Sequence, residues 1–106
     1  MSVLMTLHAN AAPRLIEQFA AANPDKMQAI IELAKKHGLI AHRFYGTGDD
    51  RVMVVDEWPS EEDFNSFFAE ADDVRELMGA VGMTGQPEVT FWRDLDTKDA
   101  VGWDAA

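Results

Sequence analysis

Four short segments of the chain have the alternating or uniformly apolar pattern of β-strands. Val3–His8 carries apolar or β-forming residues at both odd and even positions, which predicts a strand covered at least in part on both faces. Segments 39–46, 51–58 and 88–95 are similarly rich in β-branched and aromatic residues. Because only the polar turn cluster Gly46–Asp50 separates two of them, we expect those two to form an antiparallel hairpin.

Two helical regions lie before and after this hairpin. Residues 13–22 predict a short helix that begins with proline, and Asn23 is expected to cap a second helix that ends before Gly38. After the hairpin, Ser60–Asp63 resembles a capping box and precedes a helical stripe rich in phenylalanine. A break near residue 72 separates this stripe from a further helical turn.

The resulting order, strand–helix–strand–strand–helix–strand, predicts a ferredoxin-like βαββαβ fold of the α+β class. Right-handed crossovers give a four-stranded antiparallel sheet with the helices on one face. The strands are apolar or aromatic on both faces, so the uncovered face requires a partner. We expect a homodimer in which two copies pack sheet to sheet into an α/β barrel.

A single domain is expected to span residues 1–95, leaving residues 96–106 as a C-terminal tail. Trp103 is the large apolar side chain near the end of this polar segment. We expect it to anchor the tail, with docking on the partner subunit as one arrangement and a frayed terminus as the alternative.

Composition narrows the classes of function. The 106 residues carry a formal net charge of −10, which disfavours binding to nucleic acid and to anionic membranes. Cysteine is absent, so disulfides and thiolate metal sites are excluded, and no apolar run approaches the length of a membrane span. The first residues lack the basic segment of a signal peptide. We therefore expect a cytoplasmic protein that uses no metal and no cofactor.

The stretch Val54–Phe64 joins the third strand to the following helix and reads Val-Val-Asp-Glu-Trp-Pro-Ser-Glu-Glu-Asp-Phe. A third strand ending in tryptophan, a short turn and a helix with phenylalanine in its first turn resemble the antibiotic-biosynthesis-monooxygenase-like group of the dimeric α/β-barrel superfamily. The strand beginning Glu88–Trp92 is similar to that group as well. The resemblance spans residues 3–95 and implies an apolar pocket, between the helices and the sheet, that holds a few polar groups.

Another branch of the same superfamily degrades haem. Asn10 and Trp58 match its asparagine on the first strand and its tryptophan after the third strand. That branch also requires a histidine on the next helix, but no histidine follows His42 in this chain. Haem degradation is therefore set aside.

Histidine is the side chain best suited to remove a phenolic proton near neutral pH. His8 and His42 lie on predicted strands and are the candidate catalytic bases. The alternative for each is a partly buried histidine with a structural hydrogen bond. His37 suits a helix C-terminus instead.

Polar and aromatic residues on or near the strands supply further candidates. The candidate pocket or substrate-binding residues are Asn10, Tyr45, Trp58, Phe64 and Trp92. For the aromatic ones, core packing or a subunit interface is the alternative. Arg43 and Arg93 are expected either to bind an anionic group or to pair with acids such as Asp56, Glu57 and Asp94.

The resemblance implies a cofactor-independent monooxygenase that acts on aromatic, phenolic or quinol substrates. In such an enzyme an apolar pocket desolvates the substrate, and a base converts it to an anion able to reduce dioxygen. The alternatives are a non-catalytic protein that binds a small aromatic ligand in the same pocket and an oligomeric stress-response module whose cavity is only core.

Overall fold

A computed structural model describes residues 2–102 of the chain. In that part of the chain the elements are β1 (Val3–Asn10), α1 (Pro13–Ala22), α2 (Pro24–Lys36), β2 (Ala41–Thr47), β3 (Arg51–Trp58), α3 (Glu61–Glu70), α4 (Asp72–Ala80) and β4 (Thr84–Trp92). Each helical region is thus divided into two helices, as the interruptions in the sequence predict.

The four strands form one antiparallel sheet in the order β2-β3-β1-β4. The helices cover one face of this sheet, and the buried hydrophobic residues of the strands pack against them. This arrangement confirms the ferredoxin-like α+β fold. Its central strands are β1 and β3, and the two edges are β2 and β4.

Strand register decides which side chains face the helices. Met5 of β1 pairs with Asp56 of β3, which in turn pairs with His42 of β2. Because side chains alternate along a strand, this row of three and the residues two positions away point to the covered face. The helix-facing residues of β3 are accordingly Val52, Val54, Asp56 and Trp58.

The core is built around Trp58, which is fully buried at the end of β3. Its ring packs edge-on against Phe64 at 5.7 Å between centroids and lies 5.4 Å from Phe67. Both phenylalanines belong to α3, whose start is fixed by Ser60. The Ser60 hydroxyl accepts the Asp63 backbone N–H at 3.2 Å and donates to the Asp63 carboxylate at 2.9 Å.

The structure corrects two local predictions. The side chain of Asn23 does not cap α2; its Nδ2 donates to the Phe19 carbonyl oxygen at 3.0 Å and so satisfies the end of α1. The fourth strand begins at Thr84 and ends at Trp92, whereas its expected span was 88–95. Pro87 is tolerated inside it because β4 is an edge strand.

Residues 93–102 follow β4 without regular secondary structure and are exposed. Trp103, the expected anchor of the tail, lies outside the described residues. None of the helices in residues 2–102 has the length and apolar character that crossing a membrane requires.

Candidate functional site

A cavity of about 290 Å³ lies between the covered face of the sheet and the helices. Strands β1, β2 and β3 form its floor, and side chains of α2, α3 and α4 form most of its roof. Its aromatic walls are Phe44, Trp58, Phe64, Phe67 and Phe68. Its methionines are Met5, Met27, Met78 and Met83. Such a lining suits an aromatic ligand, because flexible methionine side chains adapt to its outline and make favourable sulfur–ring contacts.

His42 and Asp56 are the ionisable residues in this otherwise apolar lining. The Nδ1 atom of His42 lies 2.6 Å from Oδ1 of Asp56. Their side chains are 24% and 7% exposed, so the pair is largely removed from water. The contact follows from the register, since the two residues are directly opposed across β2 and β3.

Trp58 completes this arrangement from the same strand as Asp56. Its indole Nε1 donates to Oδ2 of Asp56 at 3.1 Å. Indole can only donate a hydrogen bond, so Oδ2 is an acceptor, and a carboxylate accepts at its other oxygen as well. Asp56 therefore favours the tautomer of His42 that carries its proton on Nδ1.

The second ring nitrogen of His42, Nε2, has no hydrogen-bond partner among residues 2–102. In the favoured tautomer this atom carries the lone pair, so it is the atom able to take a proton from a ligand. The imidazole also packs edge-on against Phe44, with 5.1 Å between ring centroids. A hydrogen bond and an aromatic contact thus orient the base on a rigid strand.

Three of the candidate residues from the sequence meet at this cavity, namely His42, Trp58 and Phe64. Four others belong to β1, β2 and β4 with the register of the opposite, uncovered face: His8, Asn10, Tyr45 and Trp92. Trp92 donates there to the Thr6 hydroxyl at 2.8 Å. His8 and Tyr45 line a shallow groove on that face. The two candidate bases are therefore separated by the sheet.

The partner of Asp56 differs from the arginines that the sequence offered as one alternative. Arg43 follows His42 in β2 and consequently points to the uncovered face, and Arg93 lies beyond the end of β4. Within residues 2–102, the ion pair of Asp56 is with His42 and not with either arginine. His37 is the C-cap residue of α2, at the helix C-terminus as expected, and its Nε2 lies 2.7 Å from Oε2 of Glu70.

Asp56 is the site residue that sequence reasoning missed. The signal was present, because Val52, Val54 and Trp58 mark the inward positions of β3 and Asp56 lies in the same series. A carboxylate at an inward position must be paired when it is buried, so it points to a functional or structural partner. Among the described residues no group of three or more histidines and carboxylates is placed to hold a metal ion.

Comparison with solved structures identifies the fold, whereas no family model and no curated protein matches the chain. SnoaB, a cofactor-independent oxygenase from Streptomyces nogalater, matches with a TM-score of 0.63 at 13% identity, over 93% of this chain and 98% of that one. A Bordetella bronchiseptica protein assigned to the antibiotic biosynthesis monooxygenases matches with a TM-score of 0.64 at 14% identity, over 89% of this chain and 97% of that one. A dimeric ferredoxin-like protein from an uncultured marine organism matches with a TM-score of 0.61 at 14% identity, over 90% of this chain and 89% of that one.

The chain thus shares its ferredoxin-like fold with proteins assigned to the antibiotic biosynthesis monooxygenases, with a cofactor-independent oxygenase and with a dimeric ferredoxin-like protein. This confirms the resemblance noted in the sequence at the level of the backbone. Identities of this size establish architecture, so the chemistry must be argued from the cavity itself.

The hydrogen bond from Trp58 to Asp56 is testable by Trp58→Phe, which keeps an aromatic ring but removes the N–H. We expect the free energy of unfolding to fall by about 1.5–3 kcal/mol, since a buried carboxylate loses a donor. Urea unfolding followed by circular dichroism measures it. The matched control is Phe67→Leu, which also removes buried ring volume at the same cavity but no hydrogen-bond donor, and it should cost less than about 1.5 kcal/mol. Equal losses in the two variants would contradict the role of Trp58.

Proposed function

We propose that this protein is a cofactor-independent oxygenase that acts on small hydroxylated aromatic compounds, with His42 as the general base. The observation that carries the proposal is the His42–Asp56 pair at the wall of an apolar cavity. The similarity in fold to SnoaB, a cofactor-independent oxygenase, supports the same reaction class.

The first step is removal of the hydroxyl proton of the substrate by Nε2 of His42. The imidazolium that forms is stabilised by the Asp56 carboxylate, whose other oxygen is held by Trp58. In an apolar cavity the resulting phenolate has few water molecules to solvate its charge, which makes it a better electron donor.

The second step is reaction of the phenolate with dioxygen, the co-substrate. One electron passes to dioxygen, and the two radicals combine to form a carbon–oxygen bond at a ring carbon that still bears hydrogen. The peroxide accepts the proton held by His42. The same ring carbon then loses its hydrogen as a proton to His42 while the O–O bond breaks, and the departing hydroxide takes that proton. One hydroxyarene and one dioxygen thus give one quinone and one water, and the base is regenerated.

Replacement of His42 tests the base directly. For His42→Ala we expect oxygen uptake and quinone formation from 1-naphthol to fall by about 10²–10⁴-fold, the usual contribution of a general base. His42→Gln keeps a polar side chain and covers the case in which the alanine variant unfolds. His8→Ala tests the other candidate base, and we expect it to retain turnover because His8 lies across the sheet. Full activity in both alanine variants would exclude proton abstraction by His42 and by His8.

Asp56→Asn tests the tautomer of His42. The amide oxygen can still accept from Trp58, but its NH₂ group then donates to Nδ1 and moves the imidazole proton to Nε2. We expect turnover to fall by about 10⁴-fold, as when an equivalent aspartate is replaced in a catalytic triad, with the unfolding midpoint little changed. Unchanged turnover would show that Asp56 does not set the tautomer. If the wild-type protein binds naphthol without oxygen uptake, the carrier alternative holds.

The uncovered face of the sheet carries Leu4, Tyr45 and Trp92, which are 40%, 47% and 51% exposed. We infer that a second copy of the chain covers this face and forms the homodimeric barrel. Large apolar and aromatic side chains exposed on one face of a sheet are characteristic of an interface. A protein of similar fold is a dimeric ferredoxin-like protein.

Leu4→Glu tests the homodimer, because it places a carboxylate within the proposed interface on the central strand β1. We expect the variant to sediment as a monomer at concentrations at which the wild-type protein is a dimer. Gln18→Glu, an exposed change on α1, adds the same charge on the helical side and should leave the mass unchanged. A wild-type monomer, or a dimeric Leu4→Glu protein, would contradict this interface.

A further inference from the structure

The cavity offers a ligand one hydrogen-bonding position. Each oxygen of Asp56 already has one hydrogen-bond partner, His42 or Trp58, its side chain is only 7% exposed, and the Trp58 N–H is used in that contact. Apart from these three residues the lining side chains contribute carbon and thioether sulfur. Nε2 of His42 therefore remains as the one strong polar atom that a ligand can address among the described lining side chains.

We infer that the site selects a compact, uncharged arene with a single hydroxyl group and discriminates against a second polar group. The part of this inference that concerns turnover rests on the proposed oxygenase function, whereas the binding preference does not. The hydroxyl donates to Nε2 of His42, and the ring system lies against the aromatic and methionine side chains.

A second hydroxyl would be buried against apolar side chains. It would lose its hydrogen bonds to water and gain none from the cavity, which weakens binding by about 10- to 100-fold. A site that binds a hydroxyl also discriminates against a ring that has none. A ring without a hydroxyl leaves Nε2 of His42 unpaired on binding.

Charge excludes anionic aromatics. The chain has a net charge of −10, the Asp56 carboxylate lies in the cavity wall, and the described lining contains no lysine or arginine. A carboxylate or sulfate on the ring would therefore be desolvated beside a like charge without a cation to compensate. The ligand must enter neutral and lose its proton only at His42.

The volume of the cavity limits the size of the ligand. The volume of about 290 Å³ lies at the lower edge of the range of ~300–1,000 Å³ found for small-molecule pockets. This space suits one or two fused rings. The rings of Phe44 and Trp58 in the lining can contact such a system.

Isothermal titration calorimetry of the full chain under anaerobic conditions tests the preference without turnover. The probes are 1-naphthol with one hydroxyl, naphthalene with none, 1,5-dihydroxynaphthalene with two, and 1-naphthoate with a charge. We expect 1-naphthol to bind at least tenfold more tightly than each of the others. Equal or tighter binding of the dihydroxy compound or the carboxylate would overturn the inference, and so would the absence of binding by all four.

A variant shows whether Nε2 of His42 provides the preference. In His42→Phe the ring shape is kept and the acceptor removed, so naphthol and naphthalene should bind within about threefold of each other. Gln18→Glu should keep the wild-type ratio. An unchanged ratio in folded His42→Phe, verified by circular dichroism, would overturn the assignment.

Oxygen uptake with 1-naphthol separates this inference from the proposed function. Naphthol-selective binding without oxygen uptake would remove the oxygenase proposal and keep the binding preference. Oxygen uptake that is as fast with the dihydroxy compound at equal affinity would keep the oxygenase and remove the selectivity.

Discussion

A buried carboxylate constrains the interior of this protein. Asp56 is 5% exposed and faces an apolar cavity, where an ionised group without partners would cost several kcal/mol. Its two oxygens are satisfied by His42 from the neighbouring strand and by Trp58 from its own strand. The three side chains are therefore coupled, because removing any one of them leaves a hydrogen-bonding group of the remaining two without its partner. This coupling orients the imidazole of His42 through residues of β2 and β3, and none of the three lies on a loop.

The sheet and the helices contribute differently to the site. The polar groups lie on the paired strands β2 and β3, whose hydrogen-bonded register holds them in place. The helices contribute phenylalanine, methionine and aliphatic side chains that determine the outline of the cavity. Substitutions in the roof can therefore alter which ligand fits while the base and its partners remain in position.

The same strands serve two purposes because side chains alternate along them. One face of β2 carries His42 and Phe44 into the cavity, and the other carries Tyr45 toward the uncovered surface. A slip of one residue in register would exchange the two sets. Register therefore decides which groups line the cavity, and similarity of fold at 13–14% identity does not carry those groups from one protein to another.

The order of elements could be predicted from the sequence because it depends on local periodicity and local chemistry. The bounds of β3, the proline at the start of α1 and the Ser60 cap are of this kind. Two other features did not follow from the local pattern. Pro87 is tolerated in β4 because that strand lies at the edge of the sheet, a position set by strands distant in the chain. The Asn23 side chain bonds to a backbone carbonyl of α1, and this group competes with the cap of α2. The site depended most on neighbours distant in the chain: His42 and Asp56 are 14 residues apart and meet only through register. Sequence alone determined which residues could act as bases, and tertiary structure decided that His42 lies in the cavity and His8 across the sheet, because pairing between strands sets the face each side chain takes.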